Sequence, residues 1–354
     1  MKQLTALLIA LCLLLCGCAE DPVVETQPAV TAALAENTLT VHFIDVGQAD
    51  CALLECGGEY LLIDGGNQDD GELVADYLDA LGVEVLNTVI ATHVHEDHMG
   101  GLLTVLEAYP TQTVLSTTSS HDSYLFGEFL SCAQWQGIEI AIPKPGDRFS
   151  LGDAEITVLG PVTSYTDLND TSIVCRVDHG ESSFLFTGDM EMIAEEDMLD
   201  HWNDRIDWDV DVLKVGHHGS YSSTGFPLLD ALSPEYAVIP CGQNNDYGYP
   251  HDEPMFRLEH TGCEIYRTDE MGTIVALSDG QEIRFTWENA DAQPFRGEPG
   301  ETGEGFIGNR NSMAFHAPYC DGLPSERNRV AFSTYAEAED AGYYPCGNCL
   351  GSHK

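Results

Sequence analysis

The sequence predicts an α/β fold in which two sheets face each other with helices outside, plus a small C-terminal module. Three observations carry this expectation. Apolar strand-like runs recur through residues 38–287, and several end in an aspartate or a histidine, among them Asp64, His93, Asp189 and His217. Helical patterns and short turns separate those runs. The 354 residues, less a leading apolar segment, suffice for one large domain and a small one.

The chain opens with Met1-Lys2, an apolar run over 4–15, and Leu15-Cys16-Gly17-Cys18. A charged start, a short hydrophobic region and a small residue before cysteine form the pattern of a secretory signal peptide, too short to span a bilayer comfortably. The ending resembles a bacterial lipobox. That resemblance implies a lipoprotein signal over 1–18 and lipidation of Cys18, with a plain N-terminal anchor as the alternative. Either way the expected location is bacterial and extracytoplasmic, with the membrane as partner through a lipid anchor; no protein partner can be inferred. Residues 19–37, with Pro22, Pro28 and several acids, read as a tether.

Charge sets the next bound. There are 14 basic residues against 59 acidic ones, a net charge of -45. So large an excess argues against a broad electrostatic grip on a polyanion, so an anionic polymer would have to be held by metals and a few local donors.

The main domain, 38–287, begins with an alternating strand over 39–45. Strands at 51–56 and 59–64 follow, joined by Gly57-Gly58 as a hairpin turn. An amphipathic helix is expected over 72–81 and a buried strand over 86–91. That strand delivers Thr92-His93-Val94-His95-Glu96-Asp97-His98-Met99-Gly100-Gly101, and a helix follows over 102–106. In extended chain, residues two apart point the same way, so His93 and His95 can face one point while Asp97 and His98 enter as the chain turns. Gly100-Gly101 is read as letting the backbone turn away without crowding the site.

His93-x-His95-x-Asp97-His98 resembles the signature of the metallo-β-lactamase-fold hydrolases, whose sites hold one or two metal ions. The resemblance covers about 38–287 and implies an αββα sandwich of two mixed sheets. A narrower likeness lies in Phe43-Ile44-Asp45-Val46-Gly47-Gln48-Ala49-Asp50-Cys51. It is similar to the Asp-Val-Gly-Gln-Gly-Asp-Ser opening of the hydrolase domain in ComEC-type competence proteins, with Ala49 and Cys51 as departures. By this resemblance Asp64 props the histidine loop, and Asp45 is placed with it among the residues that orient ligands.

Many family members place a histidine at the third ligand position, but none occurs here between His121 and His179. Leu168-Asn169-Asp170-Thr171-Ser172 stands there instead, as in ComEC-type sequences, and whether Asn169 or Asp170 touches metal or substrate stays open. A strand over 184–188 then leads to Asp189, to which the family gives a place between two metals; a helix N-cap is the alternative. The strand 210–215 runs into Gly216-His217-His218-Gly219. The resemblance gives His217 to metal and His218 to the substrate, with the reverse open. Asn244-Asn245-Asp246-Tyr247-Gly248-Tyr249-Pro250-His251 is similar to the family's Asn-x-Tyr-Gly-His-Pro-His, which makes His251 a candidate to hold substrate or protonate a leaving group. His121, His179, His201 and His260 read as surface or packing residues.

The implied ligand set is His93, His95, Asp97, His98, Asp189 and His217, holding two divalent ions, zinc or manganese, about 3.5 to 4 Å apart. A metal-bound hydroxide would attack, with Asp97, His218 and His251 as catalytic candidates. The expected activity is a phosphodiesterase or nuclease acting outside the membrane on single-stranded DNA or another phosphodiester. The alternatives are a hydrolase of another ester (a phosphocholine ester, a cell-wall phosphodiester or a lactone) and a non-catalytic binding module.

Residues 288–308 are rich in glycine, proline and acids and read as a linker. Beyond it, over 309–354, His316-x-x-x-Cys320 and Cys346-x-x-Cys349 suit a closed tetrahedral zinc site. The surroundings, including Gly342-Tyr343-Tyr344-Pro345, resemble the small metal-binding module of Ada, which implies one structural zinc; a disulfide is the alternative. Cys51, Cys56, Cys132, Cys175, Cys241 and Cys263 permit further disulfides without specifying a pairing.

Overall fold

The computed structural model describes residues 38–297, 305–320, 322–347 and 349–350. The expected signal peptide with Cys18, the expected tether 19–37 and residues 298–304 of the expected linker lie outside the described residues. Among the described residues no helix is long and apolar enough to cross a membrane.

Five strands open the first sheet: β1 (Leu39–Phe43), β2 (Ala52–Cys56), β3 (Glu59–Ile63), β4 (Leu86–Ala91) and β5 (Thr111–Ser116). Seven follow in the second: β6 (Arg148–Leu151), β7 (Ala154–Gly160), β8 (Val174–His179), β9 (Ser182–Phe186), β10 (Val212–Lys214), β11 (Tyr236–Ile239) and β12 (Glu264–Arg267). The chain then returns to the first sheet with β13 (Ile274–Ser278) and β14 (Ile283–Trp287), and to the edge of the second with β15 (Phe295–Arg296). Both sheets are mixed. In the first, β1–β3 pair antiparallel and β3–β5 parallel; in the second, β6–β9 pair antiparallel and β9–β12 parallel.

Three apolar layers hold the sandwich together. The central one interleaves inner faces of both sheets, with Leu39, Val41 and Phe43 against Ile156, Val158 and Phe186. Phe43 and Phe186 stack across the gap at 5.9 Å between ring centroids. Each such buried side chain contributes roughly 1.5–3 kcal/mol relative to exposure. The other layers cover the outer faces. Helix Gly71–Leu81 packs Val74 and Leu78, and helix Tyr124–Trp135 packs Phe126 and Phe129, onto the first sheet; helices Met192–Trp202 and Phe226–Leu232 cover the second. This is the αββα arrangement.

Local chemistry explains the boundaries. Helix Gly71–Leu81 stops at Gly82, which takes a left-handed φ of 75°. Ser123 caps helix Tyr124–Trp135 by accepting the Phe126 N–H. β8 starts only at Val174, because Asn169–Thr171 before it forms a 3-10 turn that brings Asn169 and Asp170 toward the site. Gly100 and Gly101 have ordinary right-handed dihedrals, so the expected tight-turn role is not their reason. They are small because a Cβ on either would collide with the backbone of residues 65–68.

The region after Trp287 is more integrated than a linker. β15 pairs antiparallel with β12. Beyond it, β16 (Phe306–Asn309), β17 (Ala314–His316), β18 (Arg329–Phe332) and β19 (Tyr344–Pro345) form a separate four-stranded sheet. Its core of Phe306, Phe315, Phe332 and Tyr335 includes Phe226 of the main domain, with Phe256 packed against it. The Phe226 ring lies 5.0 Å from Phe306 and 5.3 Å from Tyr335.

Candidate metal centre

Strand ends from both sheets converge at one edge of the sandwich. β4 delivers His93, His95, Asp97 and His98; β9 delivers Asp189 through Gly188; β10 delivers His217 and His218. The focus is one oxygen. Asp189 Oδ2 lies 3.2 Å from His98 Nε2, 3.6 Å from His218 Nε2, 3.8 Å from His217 Nε2 and 3.9 Å from His93 Nε2. Asp97 Oδ2 stands 3.3 Å from His218 Nε2, and His95 Nδ1 stands 2.9 Å from His93 Nε2. Ligand atoms of Asp97, His98, Asp189 and His218 all fall within 4.8 Å of one another.

What holds each ring is as telling as where it points. His98 Nδ1 lies 2.8 Å from Asp64 Oδ2, whose carboxylate also accepts the Thr92 N–H and hydroxyl. Asp64 adopts a left-handed φ of 58° to reach them. His218 Nδ1 lies 3.1 Å from the Pro240 carbonyl and 3.2 Å from Asp50 Oδ1. His93 Nδ1 meets the hydroxyls of Thr92 at 3.1 Å and Ser172 at 3.4 Å. His217 Nδ1 meets Glu191 Oε1 at 3.2 Å. Four imidazoles therefore have Nδ1 engaged and turn Nε2 toward Asp189, the arrangement in which an outer partner fixes ring orientation for a metal.

The electrostatics fit a cation. Burial would depress His98 and His218, but Asp189 and Asp64 raise His98 well above its ordinary value, and Asp189 and Asp50 push His218 up to about 10. Burial would raise Asp189, yet the charges of His98 and His218 hold it well below the usual carboxylate range. His93 is pushed well below its ordinary value by burial and by the His98 charge. The buried carboxylates thus create a demand for positive charge among the rings that a divalent ion would meet. Buried His98 Nε2, His218 Nε2 and Asp189 Oδ1 have no hydrogen-bond partner among the described residues, which is costly for polar atoms unless a ligand meets them.

The two adjacent histidines differ from the expected assignment. His218, placed by the resemblance near the substrate, is buried in the tight group, while His217 lies at its more open side. The cause is backbone conformation: both residues take left-handed dihedrals, His217 at φ 48° and His218 at φ 52°, so neighbouring rings turn to different sides. Asn169 Nδ2 lies 3.4 Å from His217 Nδ1, and Asp170 accepts the Glu191 N–H. Burial raises Asp170 to about 6. The Asp45 carboxylate accepts the Gly47 N–H in a turn, and it is Asp50 that reaches His218. His251 does not line the cleft. Its Nδ1 accepts the Tyr221 N–H, and its ring packs 4.9 Å from Tyr249.

Asp50, Lys214, Glu191 and Tyr249 belong to the site but were not singled out from sequence. Lys214 is buried at 4 % exposure, pairs with Asp50 and donates to the Gly188 carbonyl at 2.8 Å, so it anchors the turn before Asp189. A lysine inside an apolar strand was the available signal, since a buried ammonium needs a carboxylate. The four histidines expected to be surface or packing residues are elsewhere: His179 is buried against Ser278, His201 packs on Trp202, His260 on Phe226 and Phe256, and His121 lies beside Ser123.

An open cleft of about 500 Å³ gives access to this centre. Gln48, Asn67, Asn169, Glu96, Tyr247 and Tyr249 line it with the ligand residues, and among the described residues no lysine or arginine does. A second cluster stands in the small sheet, where His316, Cys320, Cys346 and Cys349 have ligand atoms within 4.8 Å of one another. All described cysteines are unpaired.

A model of the metallo-beta-lactamase superfamily matches residues 44–243. ComE operon protein 3 of Bacillus subtilis is 28 % identical over 253 residues, which are 66 % of this chain and 32 % of that protein. Recombination protein 2 of Haemophilus influenzae is 30 % identical over 249 residues, 68 % of this chain and 29 % of that protein. The chain thus spans about a third of the length of these relatives. Among solved structures, the metallo-beta-lactamase fold protein YhfI from Bacillus subtilis matches with a TM-score of 0.41 at 14 % identity, covering 64 % of this chain and 96 % of that one.

Proposed function

The chain belongs to the metallo-beta-lactamase superfamily, and from that premise we propose that it is a metal-dependent phosphodiesterase that cleaves nucleic acid or another phosphodiester outside the membrane. The observation that carries the reading is the convergence of imidazole Nε2 atoms on Asp189 with unpartnered polar atoms between them. Asp97, His98 and His218 would hold one ion with Asp189, and His93 and His95 would hold the other with the same carboxylate. Nitrogen and carboxylate donors suit zinc or manganese. Divalent ions bound there supply Lewis-acid activation of water and neutralise charge growing on the attacked phosphorus.

The chain's own residues do the remaining work. Asp64, Thr92, Ser172 and Asp50 fix the ring orientations before substrate arrives, so no reorganisation is needed during reaction. Burial would raise Asp97, which is partly exposed at the cleft, but its hydrogen bond with His218 and the His98 charge hold it well below the usual carboxylate range, so it stays ionised where substrate would enter. The side-chain amide of Gln48, whose Nε2 has no hydrogen-bond partner among the described residues, is the donor nearest at hand for a phosphoryl oxygen, while those of Asn67 and Asn169 are held by Asp70 and by Glu191 and His217. Tyr247 and Tyr249, stacked at 5.3 Å, give a flat wall for a ring or an alkyl group. The relatives' names, one a competence operon product and one a recombination protein, support nucleic acid as substrate. One observation favours a smaller ester: among the described residues no lysine or arginine lines the cleft, and the chain carries -45.

In the same reading Cys18 carries the lipid anchor, and His316, Cys320, Cys346 and Cys349 hold one structural zinc. The test of the activity is hydrolysis of bis(p-nitrophenyl) phosphate by the full chain with added manganese, beside a lactone and a carboxyl ester. Turnover of the phosphodiester that stops with chelator is expected. Efficient turnover of the lactone or carboxyl ester with none of the phosphodiester would overturn the reading.

A further inference from the structure

We propose that the Tyr249 hydroxyl binds the phosphoryl group of the substrate together with the Gln48 side-chain amide, and that these two uncharged donors make the cleft selective for singly charged phosphodiesters over doubly charged phosphate monoesters. The inference rests on the phosphodiesterase reading above and deepens it by naming the substrate charge and the residues that sort it.

Three observations place the hydroxyl beside the reacting group. Tyr249 lines the cleft with Asp189, His217 and His218. Its Oη lies 3.3 Å from His217 Nε2, which in turn lies 3.8 Å from Asp189 Oδ2. Its ring is within 24° of parallel to that of His218, with centroids 6.1 Å apart. The phenol therefore borders the metal centre from the wall of the cleft.

The side chain is held before substrate arrives. Asn245 clamps its backbone, with Oδ1 accepting the Tyr249 N–H at 2.9 Å and Nδ2 donating to the Tyr249 carbonyl at 2.7 Å. Tyr247 stacks on the ring at 5.3 Å, and His251 meets it edge-on at 4.9 Å. His251 is anchored in its turn, donating its backbone N–H to the Gly219 carbonyl at 2.9 Å and accepting the Tyr221 N–H on Nδ1 at 3.0 Å. The histidine that the sequence offered as a catalytic candidate thus supports the tyrosine that faces the cleft. Donors fixed in advance need no reorganisation when charge develops.

Both groups have a proton to give. A phenol, with an ordinary pKa of about 10, stays protonated at neutral pH. Within the chain the Tyr249 hydroxyl reaches His217 Nε2 and the Ser220 side chain. A charged phosphoryl oxygen is the stronger acceptor, since charge-assisted hydrogen bonds are roughly twice as strong as neutral ones. Gln48 Oε1 accepts the Gly242 N–H at 3.1 Å, which fixes the amide and leaves Nε2 without a partner among the described residues. Neither donor brings charge, and Glu96 and Asp97 line the same cleft. A phosphodiester carries one negative charge, whereas a monoester carries about 1.5 to 2 at neutral pH. Beyond the ions that both esters would share, the second charge meets carboxylates and no lysine or arginine among the described residues.

The experiment compares kcat/KM for bis(p-nitrophenyl) phosphate and p-nitrophenyl phosphate on the full chain with manganese, with metal content measured by elemental analysis. The wild type is expected to prefer the diester by about 100-fold, because like charges set side by side are strongly disfavoured. Tyr249→Phe should lower kcat/KM for the diester by about 100-fold with metal content unchanged. Gln48→Glu keeps an acceptor for Gly242, removes the donor and adds a charge, so it should lower diester turnover as well and leave metal content unchanged. Tyr249→Phe with wild-type turnover of the diester overturns the proposal alone. So does a Tyr249→Phe variant that loses metal, since the hydroxyl would then serve His217 rather than substrate. A wild type that hydrolyses the monoester as efficiently as the diester overturns the selectivity. A metal-loaded wild type that turns over neither ester overturns the proposal together with the phosphodiesterase reading.

Discussion

The two metal-capable clusters of this chain differ in donors, in access and in how far apart in sequence their residues lie. The centre at Asp189 uses imidazoles and carboxylates drawn from residues 93–218 and opens on a cleft. The cluster in the small sheet uses one imidazole and three thiols from residues 316–349. Thiolates surrounding an ion on all sides suit a structural site, whereas mixed donors with an open side suit one that binds substrate. Burial raises Cys349 far above an ordinary thiol, so an ion is what would favour its thiolate form. The pair teaches that liganding potential alone does not mark catalysis; the open side and the outer partners of the rings do.

The sharpest break in the comparison is Asp189→Asn. It keeps size but removes the charge both ions would share, so turnover should fall on the order of 10³-fold, measured on a small phosphodiester, while the small-sheet ion stays bound. Phe226→Ala attacks the join between the two regions. Emptying its place among Phe306, Phe315 and Tyr335 should cost about 3–5 kcal/mol in denaturant unfolding. Should the small sheet instead be an independent unit, the loss would be confined to main-domain packing, and hydrogen exchange over 305–350 would not change. Asp64→Asn should weaken metal at the main centre by about 10- to 100-fold, read by chelator competition, because His98 loses its anchor. Cys346→Ser should have the smallest effect on turnover: it removes the small-sheet ion and raises exchange over 305–350, with hydrolysis unchanged.

How much of this was legible in the sequence depends on how local each feature is. The run His93–His98 announces itself because four donors lie in six residues after an apolar strand. The alternation of strands and helices, and helices such as Gly71–Leu81, follow from periodicity and caps. Which way His217 and His218 face was not legible, because it turns on two left-handed dihedrals that no composition encodes. The Asp50–Lys214 pair joins residues 164 positions apart, and Glu191 acts only through its approach to His217. The stretch after Trp287 looked like a linker because it is poor in apolar residues, yet pairing of β15 with β12 requires only backbone hydrogen bonds. Phe226 reads as an ordinary core residue, and its second partner set comes from 80 or more positions away.

The most direct test of the two-ion phosphodiesterase account is nucleotide release from single-stranded DNA by the full chain with added manganese, compared with Asp97→Ala. The account predicts release by the wild type and its loss in the variant, despite the charge of -45. No release from a wild type shown to hold both main-domain ions would contradict the nuclease form of the account and leave the smaller phosphodiesters as its substrates.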